Sequence, residues 1–112
     1  MSERAGRRAE TIAAWWLRLH GWSIVRMRAR CAVGEVDIVA RRGRMLAFVE
    51  VKARRNFDEA GFALEGIRLK RVAAAAEWLF HRMARPGEDM RIDAILIAPL
   101  KFPRLLVDIW RG

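Results

Sequence analysis

The sequence has very little cysteine and no long apolar run. Cys31 is the only cysteine among 112 residues, so an internal disulfide is impossible and a reducing cytoplasm fits the chain. No apolar stretch approaches the roughly 18 residues of a membrane span, and the first residues lack the apolar region of a signal peptide. Repeats and low-complexity tracts are also absent. We therefore expect a cytoplasmic protein with a single domain over residues 1–112 and no membrane partner.

Acidic residues are scarce relative to basic ones. The chain has 22 Lys and Arg against 13 Asp and Glu, a formal net charge of +9. Small basic domains often bind nucleic acid, because neutralising phosphates releases condensed counterions. A generally arginine-rich surface would give the same count, so charge alone does not decide the partner. Hydrophobic residues make up 54 % of the chain, which argues against disorder.

Hydrophobic periodicity and turn residues predict the order helix, three strands, helix, two strands. This order, αβββαββ, favours an α/β fold in which helices flank a mixed sheet of about five strands. Residues 54–64 show no clear period and are predicted to form a loop. The predicted helices cover residues 3–20 and 65–84, and the predicted strands cover residues 22–28, 35–41, 45–53, 91–98 and 105–110.

The first predicted helix carries one apolar stripe. Gly21 follows it at the position where a residue in the left-handed conformation commonly caps the C-terminus of a helix. Trp15 and Trp16 are adjacent, so they cannot both face one core. One of them is expected on the surface, where it would mark a homodimer interface. The residues of the predicted buried stripe are Ala9, Ile12, Ala13, Trp16 and Leu17.

Two acidic residues and a lysine lie on strands joined by a short turn. Residues two apart in a strand share a face, so Glu50 and Lys52 project together. If Gly43-Arg44 is the turn, Asp37 lies directly opposite Glu50. A turn one residue earlier shifts the pairing by two residues and keeps Asp37 on that face. A three-residue loop without a bulge would move it to the other face.

Directly opposed carboxylates about 5 Å apart can share one cation. Oxygen ligands select Mg²⁺ or Mn²⁺, which can activate water and polarise a phosphoryl group. Lys52 would then orient water or offset developing negative charge. The alternative is a surface hairpin whose Glu–Lys pair contributes little energy.

The pattern of Asp, a hairpin turn and then Glu-x-Lys resembles the PD-(D/E)xK nucleases of the restriction-endonuclease-like fold. More narrowly, four segments resemble the YraN-like family of uncharacterised bacterial proteins, which is similar in layout to archaeal Holliday-junction resolvases. The resemblance therefore implies an endonuclease-like domain. The four segments are GRRAE at 6–10, GEVDIVA at 34–40, FVEVKAR at 48–54 and RIDAI at 91–95.

The resemblance implies Asp37 and Glu50 as metal ligands and Lys52 as the catalytic lysine. It adds Glu10 as a supporting carboxylate near the metal, counted with the catalytic and metal-binding residues, and the helical angle of Glu10 allows this. The alternative for Glu10 is a solvated acid near the helix start, stabilised by the helix dipole. Glu35 is a weaker candidate that would only flank the metal.

Four basic residues are candidates for phosphate contact. Arg54 and Arg55 directly follow the motif strand, and Lys70 lies on the second predicted helix, with Arg71 beside it. A solvated helix face is the alternative for the last two.

The sequence leaves three hypotheses for function. The first is a Mg²⁺- or Mn²⁺-dependent endonuclease that hydrolyses nucleic-acid phosphodiesters. Its expected substrate is DNA, branched DNA included. The second is a nucleic-acid-binding protein that keeps the fold but has little or no cleavage activity. The third is a structural protein whose basic charge is incidental. The complete Asp37/Glu50/Lys52 set favours the first.

Overall fold

A computed structural model describes residues 3–66 and 69–110 of the chain. None of the helices in these ranges is long and apolar enough to cross a membrane. The described elements, in chain order, are α1 (Glu3–Leu19), β1 (Ser23–Cys31), β2 (Gly34–Arg42), β3 (Met45–Ala53), α2 (Phe57–Gly66), α3 (Leu69–Met83), β4 (Asp89–Ile97) and β5 (Arg104–Leu106).

The five strands form one sheet in the order β1-β2-β3-β4-β5. β1, β2 and β3 are mutually antiparallel, β3 and β4 run parallel, and β5 returns antiparallel to β4. The parallel step needs a crossover, and the chain makes it through α2 and α3. This arrangement confirms the predicted α/β class and the mixed five-stranded sheet with flanking helices.

Apolar cores cover both faces of the sheet. One core packs beneath α1 and the other beneath α3, so the central strands are buried on both sides. This is why β3 is nearly continuously apolar instead of alternating. Fully buried members of the α1 core include Ala13, Ile38, Val49 and Ile95, and those of the α3 core include Val39, Leu46, Phe48 and Ala76.

α1 buries a slightly different stripe from the predicted one. Ala14 is buried where Ile12 was expected, and Ile12 lies on the exposed side. The prediction that one Trp stays outside is confirmed, since Trp15 is 58 % exposed. Trp16 is half-buried and its ring stacks on His20. Gly21 caps the helix with φ 89°, as predicted.

The predicted loop over residues 54–64 is wrong, because α2 begins at Phe57. Asn56 caps this helix: its side-chain oxygen accepts the Glu59 backbone N–H at 2.8 Å. Asp58 and Glu59 add acidic charge to the first turn, where the helix dipole favours it. An Asn followed three residues later by Glu is a capping signal in the sequence, but Gly61 interrupts the apolar period. The observed order is therefore αβββααββ.

The predicted last strand, 105–110, is also wrong in its second half. β5 ends at Leu106, and Asp108 adopts a left-handed φ of 57°. Its backbone N–H donates to the buried Asp93 carboxylate at 2.8 Å, and Ile109 N–H donates to the Ile92 carbonyl at 2.8 Å. These tertiary hydrogen bonds hold residues 108 and 109 against β4 residues, so they do not continue β5. No local sequence pattern predicts these bonds.

Candidate metal and phosphodiester site

The turn between β2 and β3 sets the position of Asp37. Arg42 pairs with Met45, so Gly43 and Arg44 form a two-residue turn, with Gly43 at φ 61°. This is the first of the two turns that keep Asp37 on the face of Glu50 and Lys52. Ile38 pairs with Val49, and the next position along this register places Asp37 opposite Glu50.

β2 and β3 part just beyond this point. Their pairing ends at Ile38 and Val49, although β2 starts four residues earlier at Gly34. The Asp37 carboxylate enters the gap, where its Oδ2 accepts the Val51 backbone N–H at 2.7 Å. A strand amide at this position needs an acceptor, and the side chain supplies the one that the neighbouring strand no longer offers.

Glu50 is buried beside Asp37. Its side chain alternates with Val49 and Val51, which point into the α1 core, so Glu50 and Lys52 project from the other face of β3. Only 7 % of Glu50 is exposed. The pKa of Glu50 is raised to about 8, most of all by burial and then by the charge of Asp37 and a hydrogen bond with its carboxylate. The Lys52 charge and the Asp37 backbone amide act in the opposite direction.

A pKa of about 8 means that Glu50 keeps its proton at neutral pH, where the protonated carboxyl can donate a hydrogen bond to Asp37. Neighbouring carboxylates repel each other when both are charged, and a cation in place of that proton would offset the repulsion. Lys52 offers only partial compensation, since its Nζ lies 3.9 Å from Glu50 Oε2, beyond hydrogen-bonding distance. With both carboxylates ionised, the pair would therefore be a part-buried oxygen site that lacks positive charge.

Glu10 approaches from α1 but is held by an arginine. Arg28 Nε donates to Glu10 Oε1 at 2.7 Å. Burial raises the pKa of Glu10, the Arg28 hydrogen bond lowers it, and the charge of Asp37 raises it again. Arg28 lies on β1 between the residues that pair with Val36 and Ile38, beside Asp37.

Arg28 is a site residue that the sequence reasoning missed. It has a left-handed φ of 51°, an uncommon conformation for a residue with a side chain. The only signal was a run of alternating arginines in β1, which reads equally well as a solvated edge strand. Its pairing with Glu10 ties α1 to the place where β2 and β3 separate.

The Asp37 and Glu50 carboxylates suit a divalent cation that is coordinated only in part by protein. Within residues 3–66 and 69–110, no three His, Cys, Asp or Glu side chains are grouped closely enough to enclose a metal ion. Asp37, which is part-buried, and Glu50, which is buried, together supply carboxylate oxygen ligands. Mg²⁺ commonly binds through one or two carboxylates and fills its other positions with water and substrate phosphate. The pair therefore fits Mg²⁺ or Mn²⁺ and does not fit a metal that needs an all-protein cage.

The other predicted residues are placed as follows. Glu35 starts β2, where its carboxylate accepts a hydrogen bond from Arg30 Nε at 2.9 Å. Arg54 directly follows β3 and is exposed. Arg55 is exposed but forms an ion pair with Glu59. Lys70 lies on the exposed side of α3.

Arg104 is a basic residue near the site that sequence reasoning did not single out. It pairs with Leu96 on β4, and Leu96 pairs with Lys52 on β3. The three residues form one row across the sheet, so Arg104 lies two strands from Lys52, about 10 Å away. Only the β3–β4–β5 pairing brings them together, which is why no sequence motif contained them.

The raised pKa of Glu50 predicts a pH-dependent stability. The folded pKa of about 8 exceeds the ordinary 4.5, so the protonated form stabilises the fold and this contribution is lost as pH rises from about 4.5 to 8. Glu50→Gln keeps a donor for Asp37 at every pH. We expect it to be more stable than the wild type by about 2–4 kcal/mol at pH 9 and by little at pH 4.

Urea unfolding at several pH values measures this difference. Asp89→Asn, an exposed acid at the start of β4, is the control and should show no such trend. A Glu50→Gln difference that stays constant from pH 4 to pH 9 would contradict the raised pKa of Glu50.

Comparison with known proteins gives one consistent match. The sequence matches the model of the family described as uncharacterised protein family UPF0102 over residues 9–97. A "UPF0102 protein" of Sphingopyxis alaskensis is 58 % identical over 110 residues, covering 98 % of this chain and 95 % of the relative. Those of Rhizorhabdus wittichii and Erythrobacter litoralis are 52 % and 50 % identical, covering 99 % of this chain and 94 % and 96 % of their own lengths.

Proposed function

Because this chain belongs to the UPF0102 family, the YraN-like group that its motifs resemble, and its relatives' names give no activity, we propose a function from the chemistry of the site. The protein is a divalent-cation-dependent nuclease that hydrolyses phosphodiester bonds of nucleic acid, with DNA as the expected substrate. The single observation that carries this proposal is the pairing of the buried Glu50 with the part-buried Asp37 on neighbouring strands, with Lys52 beside them.

Asp37 and Glu50 would hold the metal. A divalent cation bound there supplies Lewis-acid polarisation of the phosphoryl group and activation of water. Asp37 is preorganised for this role, because the Val51 amide fixes one of its carboxylate oxygens. Glu10 would support the site from α1, where Arg28 already donates a hydrogen bond to one of its carboxylate oxygens.

Lys52 supplies positive charge next to the reacting phosphate. Its ammonium offsets negative charge that accumulates on the phosphoryl oxygens in the transition state. It also lowers the cost of charging Glu50, which must release its proton when a cation binds. These roles for an Asp, a Glu and a Lys on two neighbouring strands are those of the restriction-endonuclease-like nucleases, to which we assign the fold.

Basic residues would contact the phosphates on either side of the cleaved bond. Arg54 follows Lys52 by two residues along the chain, and Arg104 lies in the same row as Lys52 across the sheet. Both arginines are exposed. Arg55 and Lys70 would contribute further from the site. The net charge of +9 supports a polyanionic partner. The lone thiol of Cys31 agrees with a cytoplasmic location.

A second candidate is a nucleic-acid-binding protein with weak or absent cleavage. The observation that favours it is the lack of a three-ligand metal cluster among the described residues. Both candidates bind nucleic acid, so binding alone does not separate them.

A cleavage panel tests the proposal. Purified protein is incubated with Mg²⁺ or Mn²⁺ and with labelled duplex, single-stranded, flap and four-way DNA, and with matched RNA. We expect metal-dependent products from at least one substrate and none with EDTA. Salt-sensitive binding with no cleavage of any substrate would favour the second candidate instead.

A homodimer is the second part of the proposal. Ile12, Trp15 and Leu19 are exposed at i, i+3 and i+7 on α1, so they form an apolar stripe on one helix face. Packing two such stripes together would cover them. Light scattering should give twice the 12.9 kDa chain mass, and Trp15→Glu should give the monomer mass. A monomer mass for the wild type at high concentration would contradict this.

A further inference from the structure

The loop between β4 and β5, residues 98–103, presents two bulky apolar side chains to solvent. Leu100 and Phe102 have relative exposures of 105 % and 91 %, the highest of any large hydrophobic residue within the described ranges. A small domain seldom places a Phe and a Leu so fully in water without a partner. The loop is therefore a candidate binding element.

The loop is held in a defined shape. Prolines 99 and 103 fix two backbone dihedrals, and the residue before each proline is restricted to extended conformations. Leu100 takes a left-handed φ of 61°, and Lys101 N–H donates to the Ala98 carbonyl at 3.3 Å. Because the turn is already restrained, little further conformational entropy is lost when its side chains bind a partner.

The loop lies at the end of the sheet that carries Lys52. β3 and β4 run parallel with Lys52 beside Leu96, and Arg54 N–H donates to the Ile97 carbonyl at 3.0 Å. The loop starts at the next residue. A nucleic-acid strand bound along Lys52 and Arg54 would therefore pass close to Phe102.

The charge around the loop indicates what it binds. Lys101 lies between Leu100 and Phe102, and Arg104 follows Pro103; both basic residues are exposed. The Arg104 guanidinium lies over the Phe57 ring, 4.4 Å from its centroid, and so is held near the loop. Apolar side chains alternating with cations suit a ligand that has flat apolar faces joined by phosphates.

We propose that this loop stacks on unpaired bases next to the cleaved bond, so that the substrate class is nucleic acid with a single-stranded or frayed segment. The placement of the loop next to a cleaved bond rests on the proposed nuclease function. The stacking of the loop on bases does not depend on that function. Bases in an intact duplex hide their faces against each other, whereas unpaired bases expose them to an aromatic ring. Phe102 is the stacking residue, and Leu100 is the wedge that packs beside it.

Binding in the presence of EDTA tests the loop separately from cleavage. Fluorescence anisotropy compares a labelled 15-nucleotide oligo-dT with a blunt 15-base-pair duplex. We expect Phe102→Ala to weaken oligo-dT binding about 5- to 100-fold, the range of one lost stacking contact, and duplex binding less than twofold. Phe102→Trp should retain oligo-dT binding, and its indole fluorescence should be quenched by the bases.

Val107→Ala is the matched control, because it removes another exposed apolar side chain, directly after β5. It should change neither affinity. Equal weakening of both ligands by Phe102→Ala, or no weakening of either, would overturn the proposal. So would loss of sedimentation with phosphatidylserine vesicles without any change for oligo-dT, which would identify a lipid-binding loop.

The outcomes separate this inference from the proposed function. A selective loss of oligo-dT binding in a protein that cuts nothing supports the loop and contradicts the nuclease. Metal-dependent cleavage with unchanged oligo-dT binding by Phe102→Ala supports the nuclease and contradicts the loop.

Discussion

Asp37→Asn is expected to lower the cleavage rate by on the order of a thousandfold or more while leaving the protein folded. Asp37 Oδ2 accepts the Val51 amide, and an Asn side-chain oxygen can accept the same hydrogen bond. The substitution therefore keeps the strand geometry but removes the charge that a cation needs. Nucleic-acid affinity should change little, since it depends on phosphate contacts by the basic residues.

Single-turnover cleavage, with calorimetry of Mn²⁺ binding, measures these effects. Lys52→Ala should also bind DNA without cutting it. Glu35→Gln is the control, because Glu35 is an exposed carboxylate on the same strand that is paired with Arg30. If Asp37→Asn and the wild type bind Mn²⁺ equally well, the carboxylate pair does not hold a metal, and the binding-protein alternative is favoured.

Asp93→Ala is expected to destabilise the fold by about 3–5 kcal/mol, the usual cost of leaving a buried charge unpaired. Asp93 is 1 % exposed on β4 and accepts two guanidinium N–H groups from Arg91, at 2.9 Å each to its two oxygens. It also accepts the Asp108 amide, which anchors the segment after β5. The substitution would leave both donors without this acceptor.

Thermal and urea unfolding measure the loss, which should lower Tm by more than about 10 °C in a domain of this size. The control is Glu35→Ala, which breaks the exposed Arg30–Glu35 pair and should cost less than about 1 kcal/mol. A loss as small as that for Asp93→Ala would mean that the segment after β5 is held by its apolar contacts. DNA cleavage by the surviving folded fraction should be unchanged.

The errors in the secondary structure predicted from the sequence have a common cause. α2 was predicted as a loop because Gly61 breaks the apolar period, but the Asn56 cap and the packing of Ala60 and Leu64 stabilise the helix. The strand predicted to end at residue 110 stops at Leu106 because Asp93, far away in sequence, binds the Asp108 amide. Local propensity is a weak guide where a tertiary contact supplies the deciding energy.

The sequence by itself determined the family, the α/β class and the side of β3 from which Glu50 and Lys52 project. The last of these follows from the two-residue period of a strand, and the short turn at Gly43 keeps Asp37 in register with Glu50. Both are local properties of the chain, although the sequence left more than one turn length open and the observed β2–β3 pairing selected the two-residue turn.

Only the tertiary structure decided the electrostatic state of the site and its surroundings. The pKa of Glu50 depends on how deeply the site is buried and on the distance to Asp37. The engagement of Glu10 by Arg28 and the row from Lys52 to Arg104 depend on how α1 and β5 pack against the central strands. Desolvation and long-range pairing are set by the elements that pack against a residue, and its neighbours in sequence do not encode them.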